Sequence, residues 1–154
     1  MNKNQSQDSL SYALRILSVK DYTEREILKK LMAKVSSESA QKTVEQLKKL
    51  GYIDDESYCR KWLEYRCERN PVGKMYAVNK LRTLGIEKNI IETQVNDFYE
   101  KNEEIEMAVF LIEKRLSGKD KVDQKTKAKH FRYLMSKGFS RSISMEALNR
   151  VVDK

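Results

Sequence analysis

Leu81–Ile86 reads LRTLGI and ends an amphipathic run, and two similar stretches end similar runs elsewhere, at Leu31–Val35 (LMAKV) and Leu134–Phe139 (LMSKGF). The step is 50 residues from 31 to 81 and 53 residues from 81 to 134. A nearly fixed step of this size indicates one structural unit repeated along the chain, with each unit burying its apolar face against its neighbours. The sequence therefore predicts an array of similar units, a geometry that favours a long surface for binding something large.

The composition favours an all-helical protein. The 154 residues include one proline and five glycines, so the two strongest helix breakers are scarce, and 35% of the residues are charged. No apolar run approaches the roughly 20 residues that a membrane span requires, and the first residues lack the apolar segment of a signal peptide. We therefore expect a cytoplasmic protein with no membrane partner.

Each repeat is expected to contain three helices. Thr23 and Glu26 have the spacing of a capping box, which predicts a helix start. Gly85 predicts a helix end, because glycine readily adopts the left-handed conformation of a helix cap. The predicted fold is all-α, with three tandem three-helix repeats at residues 9–53, 54–101 and 102–154.

Two turns are expected to act as hinges, at residues 70–73 and 117–122. In the first, Pro71 disfavours helix in the residue before it, and Gly73 frees the backbone after it. Few apolar residues lie in either turn to hold it in place. The sequence therefore predicts motion of the repeats about these two points.

The net charge of +8 is unevenly distributed. Residues 1–86 carry 17 Lys and Arg against 11 acids, and residues 118–154 carry 10 against 4, so each segment has a net charge of +6. Residues 87–106 carry 2 against 7, a net charge of −5. Such runs are solvated helix faces about as often as they are binding surfaces.

The residue patterns of common enzymes and metal sites are absent from the sequence. His130 is the single histidine, with no cysteine near it in sequence to complete a metal site. No glycine-rich phosphate-binding loop occurs. Cys59 and Cys67 lie two turns apart on one predicted helix, where they cannot form a disulfide. We therefore expect no enzymatic activity, no metal and no cofactor.

The aromatic side chains divide into two groups. Tyr58 and Trp62 are four residues apart on an apolar stripe, which favours core packing over stacking on nucleic-acid bases. Tyr65 and Tyr76 lie off these stripes. They are therefore freer to contact a partner.

Three motifs in this order and at this spacing resemble the RecX family of recombination regulators. They are Ile53–Tyr58 (IDDESY) entering an aromatic helix, Gly85-Ile86, and Gly138-Phe139-Ser140. The resemblance extends from about residue 9 to residue 152. The chain departs from it at Val35-Ser36, where the family often has a Lys-Gly or Arg-Gly helix end.

The resemblance implies both a fold and a function. The fold would be an elongated, curved array of three-helix units that can lie in the helical groove of a protein filament. The implied partner is the RecA recombinase, especially its filament on single-stranded DNA, and the implied effect is lower ATPase and strand-exchange activity. DNA would be contacted through the filament, with weak direct binding as a further option. We expect a monomer, because no self-complementary apolar heptad is present.

Basic side chains without glycine loops suit a phosphate backbone or an acidic protein surface, with salt-sensitive binding and little base specificity. Our hypothesis for the contacts comprises Arg25, Lys29 and Lys30 in the first repeat, Lys74, Lys80 and Arg82 in the second, and Lys125, Lys127, Lys129, Arg132 and Arg141 in the third. Alternate residues on a helix point about 200° apart, so Lys125, Lys127 and Lys129 cannot all face one way. At least one of them should be dispensable.

Two other classes of protein compete with this interpretation. One is a stand-alone helix-turn-helix DNA-binding regulator, since a three-helix unit with a basic helix can enter a major groove. The spread of basic residues over all repeats and the lack of a strong dimerisation helix argue against it. The other is a pure interaction scaffold, but a step of 50 to 53 residues exceeds that of two-helix repeats.

Overall fold

The computed structural model describes residues 3–116 and 122–153, and within these ranges the chain forms nine α-helices and no β-strand. The helices are α1 (Lys3–Leu17), α2 (Glu24–Met32), α3 (Ser37–Lys49), α4 (Asp55–Arg69), α5 (Lys74–Thr83), α6 (Lys88–Lys101), α7 (Glu104–Arg115), α8 (Gln124–Ser136) and α9 (Arg141–Val152). The predicted all-α class is confirmed. The hinge predicted at 117–122 lies outside the described residues, apart from Val122.

The chain divides into two compact units. The first unit comprises Met1–Cys59 and Leu81–Ile91, and the second comprises Arg60–Lys80 and Glu92–Lys154. The divisions fall inside α4, α5 and α6, so each of these helices contributes residues to both units. The bounds of the three sequence repeats stay a prediction.

In the first unit, α1, α2 and α3 pack around a core of small and branched apolar side chains. Its buried members are Ala13, Ile27, Leu31, Ala40, Val44, Leu47 and Ile53. The capping box at the start of α2 is confirmed, because Thr23 Oγ1 accepts from the Glu26 amide at 3.2 Å and the Glu26 carboxylate accepts from the Thr23 amide at 3.3 Å. These bonds satisfy amides that a helix start otherwise leaves without partners.

In the second unit, α7, α8 and α9 enclose a separate core. Its buried members are Ala108, Val109, Leu111, Ile112, Leu134, Phe139, Ala147 and Leu148. Near it, the buried Tyr99 hydroxyl on α6 donates to the Val72 carbonyl at 2.6 Å. Burial raises the pKa of the Tyr99 phenol, so its proton stays in place for this bond.

Three helices end at a glycine in the left-handed conformation. Gly51, Gly85 and Gly138 follow α3, α5 and α8 with φ of +80°, +82° and +89°. In each case the glycine amide donates to the carbonyl three residues before it, and the next amide donates to the carbonyl five residues before, as from Ile86 to Leu81 at 3.4 Å. This pair of bonds is the Schellman motif, and the cap predicted at Gly85 is confirmed.

Helix α2 ends without this motif. The Val35 amide donates to the Leu31 carbonyl at 2.9 Å, and the cap residue Ala33 keeps right-handed helical angles. The chain then enters α3 at Ser36, whose hydroxyl accepts from the Ser39 amide at 3.2 Å. The departure from the family pattern at Val35-Ser36 therefore changes the helix end but leaves both helices formed.

The turn at residues 70–73 is held more firmly than the sequence indicates. Pro71, Val72 and Gly73 are all buried. The Gly73 amide donates to the Lys137 carbonyl at 2.7 Å, and a Cβ at Gly73 would overlap the backbone of Gly138. The premise that few contacts hold this turn is wrong, because the contacts come from residues more than 60 positions away in sequence.

Candidate nucleic-acid and partner interface

The predicted contact residues lie on four helices or directly at their ends, and most are exposed. Of the eleven, only Lys74 and Lys127 are half-buried. The first unit holds Arg25, Lys29, Lys30 and Arg82, and the second holds Lys74, Lys80, Lys125, Lys127, Lys129, Arg132 and Arg141. The residues therefore form two groups, each with its own local geometry.

In the first unit, the start of α2 meets the end of α5. The Thr23 hydroxyl donates to the Leu84 carbonyl at 2.8 Å. The aliphatic part of Arg25 lies over Gly85, where a Cβ would overlap it. Arg82 is one turn before this glycine on α5. The structure therefore places Arg25 beside the helix end that carries Arg82, although they are 57 residues apart (82 − 25) in sequence.

In the second unit, α8 presents one basic face. Lys125, Lys129 and Arg132 are exposed and are spaced by four and three residues, which places them on the same side of the helix. Lys127 is half-buried on another side. Among the three alternating lysines, Lys127 is therefore the one expected to be dispensable.

Basic side chains also gather around tyrosine rings in the first unit. Tyr12 has Lys34 Nζ at 4.7 Å and Arg15 Cζ at 5.5 Å from its ring centroid. Tyr22 likewise has Lys20 Nζ at 4.5 Å and Lys30 Nζ at 5.4 Å. Cations at this distance are attracted by the negative face of an aromatic ring.

A second set of tyrosines in the second unit is surrounded in the same way. Arg66 Cζ and Lys80 Nζ lie 5.6 Å and 5.7 Å from the Tyr76 ring centroid. Arg115 Cζ and Lys137 Nζ lie 3.8 Å and 5.8 Å from the Tyr133 ring centroid. Each ring therefore has two basic side chains beside it.

The nearby cations also act on the Tyr76 hydroxyl. A hydrogen bond from Arg66 lowers the pKa of the Tyr76 phenol, partial desolvation opposes this, and the positive charges of Lys80, Arg66 and Lys137 lower the pKa further. Three cations from α4, α5 and the end of α8 therefore act on one hydroxyl.

Sequence reasoning missed most of these cations. It selected Lys30 and Lys80 but none of Arg15, Lys20, Lys34, Arg66, Arg115 and Lys137. A signal was present for Lys137, because it is four residues after Tyr133 and so is its neighbour along the helix. Arg66 and Arg115 come from other helices, and only the fold shows that they reach these rings.

Three basic side chains outside the predicted set are instead held in surface ion pairs. The pairs are Lys42–Glu38 at 3.3 Å, Lys48–Glu24 at 3.3 Å, and Arg150 with Glu106 at 2.6 Å and with Glu146 at 2.9 Å. Exposed pairs of this kind contribute little to stability. They do partly neutralise charge, so these residues are suitable controls for the candidate contacts.

The remaining aromatic residues and the two cysteines differ in how far they are exposed. Tyr58 and Trp62 are half-buried, whereas Tyr65 is 66% exposed, with Arg69 Cζ 5.5 Å from its ring centroid. Cys59 and Cys67 are buried and are not joined in a disulfide, and burial raises the pKa of the Cys67 thiol, which lowers its reactivity.

The described residues lack a metal-binding cluster and a membrane-spanning helix. No group of three or more His, Cys, Asp or Glu side chains is arranged to hold a metal ion in residues 3–116 and 122–153. Over the same part of the chain, no helix combines the length and the apolar character needed to cross a membrane.

The chain is similar in sequence to known RecX proteins along most of its length. Residues 10–47 match the first three-helix domain of RecX, and residues 102–148 match the third. The regulatory protein RecX of Finegoldia magna is 28% identical over 95% of this chain and 73% of its own length. The regulatory protein RecX of Thermus thermophilus is 29% identical over 91% of this chain and 89% of its own length.

The fold has a close match among solved structures. The crystal structure of RecX from Lactobacillus salivarius superposes with a TM-score of 0.87 over 99% of both chains, at 22% sequence identity. This identity is low, so the match is evidence for the fold alone.

Proposed function

Because the chain belongs to the RecX family, we propose that it binds the RecA recombinase and its filament on single-stranded DNA. In this proposal it lowers the ATPase and strand-exchange activities of the filament and so modulates recombination and DNA repair. The protein is a regulator in the cytoplasm, acts as a monomer and catalyses no reaction. The observation that supports this most is the similarity to regulatory proteins over more than nine-tenths of the chain.

The chemistry of the surface suits such a partner. A filament on DNA offers a phosphate backbone and acidic protein surfaces, and both attract exposed Lys and Arg side chains. The basic face of α8 (Lys125, Lys129 and Arg132) is the densest group among the predicted contacts. Arg25 on α2, which lies against Gly85, and Arg82 near the end of α5 form a second contact.

The first experiment measures ATP hydrolysis by RecA on single-stranded DNA while this protein is titrated in. We expect inhibition at ratios well below one molecule per RecA subunit, because one bound regulator would contact several subunits of a filament. Unchanged hydrolysis, together with tight binding to one duplex sequence, would sink the proposal in favour of a helix-turn-helix regulator.

A matched pair of variants tests the contact residues. The test variant carries Lys125→Gln and Lys129→Gln, and the control carries Lys42→Gln and Lys49→Gln, which remove the same charge from exposed positions on α3. We expect the test variant to need about tenfold more protein for half-inhibition, and the control less than about twofold more. Equal inhibition by the two variants would show that the α8 face is not a contact.

A further inference from the structure

The cations around Tyr76 come from three separate helices. Arg66 is on α4, Lys80 is on α5, and Lys137 directly follows α8. Arg66 Cζ and Lys80 Nζ are 5.6 Å and 5.7 Å from the Tyr76 ring centroid, and the charges with the largest effect on the phenol are all positive. Three positive charges that act on one hydroxyl produce a local positive potential, which attracts an anion.

The position of Tyr76 is fixed by the backbone. The Met75 amide donates to the Gly138 carbonyl at 3.2 Å, and the Gly73 amide donates to the Lys137 carbonyl at 2.7 Å. A Cβ at Gly138 would overlap the Tyr76 backbone, so the two chain segments are in direct contact. The tyrosine and Lys137 are therefore held together before any ligand arrives, which lowers the entropic cost of binding.

A second ring continues the positively charged region. Lys137 Nζ lies 5.8 Å from the Tyr133 ring centroid, and Arg115 Cζ lies 3.8 Å from the same centroid. Lys137 thus acts on both tyrosines. Alternation of cations and aromatic rings is the pattern by which proteins bind single-stranded nucleic acid, with phosphates on the cations and bases on the rings.

We propose that Arg66, Lys80 and Lys137 form a direct phosphate-binding site on single-stranded DNA, with Tyr76 as the surface on which a base stacks. Tyr133 and Arg115 extend this site along the strand. The site binds DNA without the recombinase and does not include the α8 face assigned above. The choice of DNA as the anionic ligand of this site rests on the proposed function.

The test uses fluorescence anisotropy of a labelled oligothymidylate, with the full chain and no RecA. The first variant carries Arg66→Gln, Lys80→Gln and Lys137→Gln, and its control carries Lys42→Gln, Lys49→Gln and Lys101→Gln. We expect the first variant to bind at least tenfold more weakly and to lower the salt dependence of log K by about 2, since each phosphate contact on a single strand contributes about 0.7. We expect less than about threefold weakening in the control.

A second variant tests stacking. Tyr76→Leu removes the ring but retains the Cβ that packs against Gly138. We expect about fivefold or more weaker binding to oligothymidylate, because a base stacked on an aromatic side chain contributes at least about 1 kcal/mol. Binding to a duplex of equal length should change less than about twofold, since its bases are already stacked. Circular dichroism melting of each variant checks that it is folded.

Two results would overturn the inference. One is equal weakening by the two triple variants, which indicates a general charge effect. The other is a Tyr76→Leu variant that binds single strands and duplexes with the same relative loss. If the protein binds oligothymidylate as expected but does not change RecA ATP hydrolysis, the proposed function is wrong and the DNA-binding site is still supported.

Discussion

The ends of α5 and α8 have the same local structure and different surroundings. Gly85 and Gly138 both have φ above +80° and both close a Schellman motif with the residue that follows. Gly85 lies under the Arg25 side chain, whose Cγ and Cδ can rotate aside but whose Cβ cannot, whereas Gly138 lies against the backbone and Cβ of Tyr76. One sequence motif therefore marks two positions that differ greatly in their tolerance of a larger residue.

Gly51 at the end of α3 supplies the reference for this comparison. It has a φ of +80°, and nothing lies within 4 Å of where its Cβ would be. Substitution there would carry only the cost of left-handed backbone in an L-residue. Comparing substitutions at the three glycines therefore distinguishes the free-energy cost of left-handed backbone from the cost of steric overlap.

The largest effect is expected for Gly138→Ala. The new Cβ would overlap the backbone of Tyr76, and backbone cannot move aside as a side chain can. We expect a loss of about 3–5 kcal/mol in the free energy of unfolding, measured by urea denaturation with circular dichroism. A loss as small as that of Gly51→Ala would contradict the close packing of these segments.

An intermediate effect is expected for Gly85→Ala. Left-handed backbone costs about 1 kcal/mol, and moving the Arg25 stem adds to this by up to about 1 kcal/mol. The same substitution in an Arg25→Ala background should cost less than in the parent but more than at Gly51, because the Arg25 Cγ and Cδ are removed while its Cβ still lies against the new Cβ. A double-mutant cycle with urea denaturation measures the difference, and strict additivity would mean that Arg25 does not cover Gly85.

Gly51→Ala should show the smallest of the three losses, about 1 kcal/mol. Only the backbone angle opposes the substitution, since the space is open. Thermal and urea unfolding of the same protein preparations measure this loss in the free energy of unfolding. A loss equal to that at Gly138 would show that φ alone decides all three positions, and the comparison would fail.

A smaller, pH-dependent effect is expected at the start of α4. The half-buried Asp55 carboxylate accepts from the Glu24 amide at 3.0 Å, and desolvation raises the pKa of Asp55 above its usual value. Its contribution to stability is therefore fully present below about pH 4 and is lost as the pH rises through the raised pKa.

Asp55→Asn tests this sign, because asparagine cannot ionise and its side-chain oxygen can still accept from Glu24. The stability of the variant relative to the parent should rise as the pH increases from about 4 through the raised pKa of Asp55, and then level off. Urea denaturation across this range measures the difference. A relative stability that falls over the same interval would mean that the charged form of Asp55 is favoured by folding.

Local features of the fold could be predicted from the sequence, and distant contacts could not. The capping box at Thr23 and the glycine cap at Gly85 depend on residues within one turn, so their spacing is enough to identify them. The scarcity of apolar residues in the turn at 70–73 predicts a loose hinge, and this is wrong because the turn is bonded to residue 137, far away in the chain.

In the candidate site, too, contacts within one helix could be predicted from the sequence and contacts between helices could not. Lys80 is visible in sequence as a basic residue four positions from Tyr76, and it was selected. Arg66 reaches the same tyrosine from α4, and Lys137 from the end of α8. Helix periodicity carries no information about either of them, since it describes one helix at a time.

The bond between Gly73 and Lys137 has an evolutionary consequence. It uses the backbone carbonyl of residue 137, which every amino acid possesses, so the side chain at this position takes no part in the bond. Selection can therefore exchange the side chain at this position, and with it the ligand preference of the surface, without a change in fold. The constraint falls instead on positions 73 and 138, where a Cβ would overlap the neighbouring backbone.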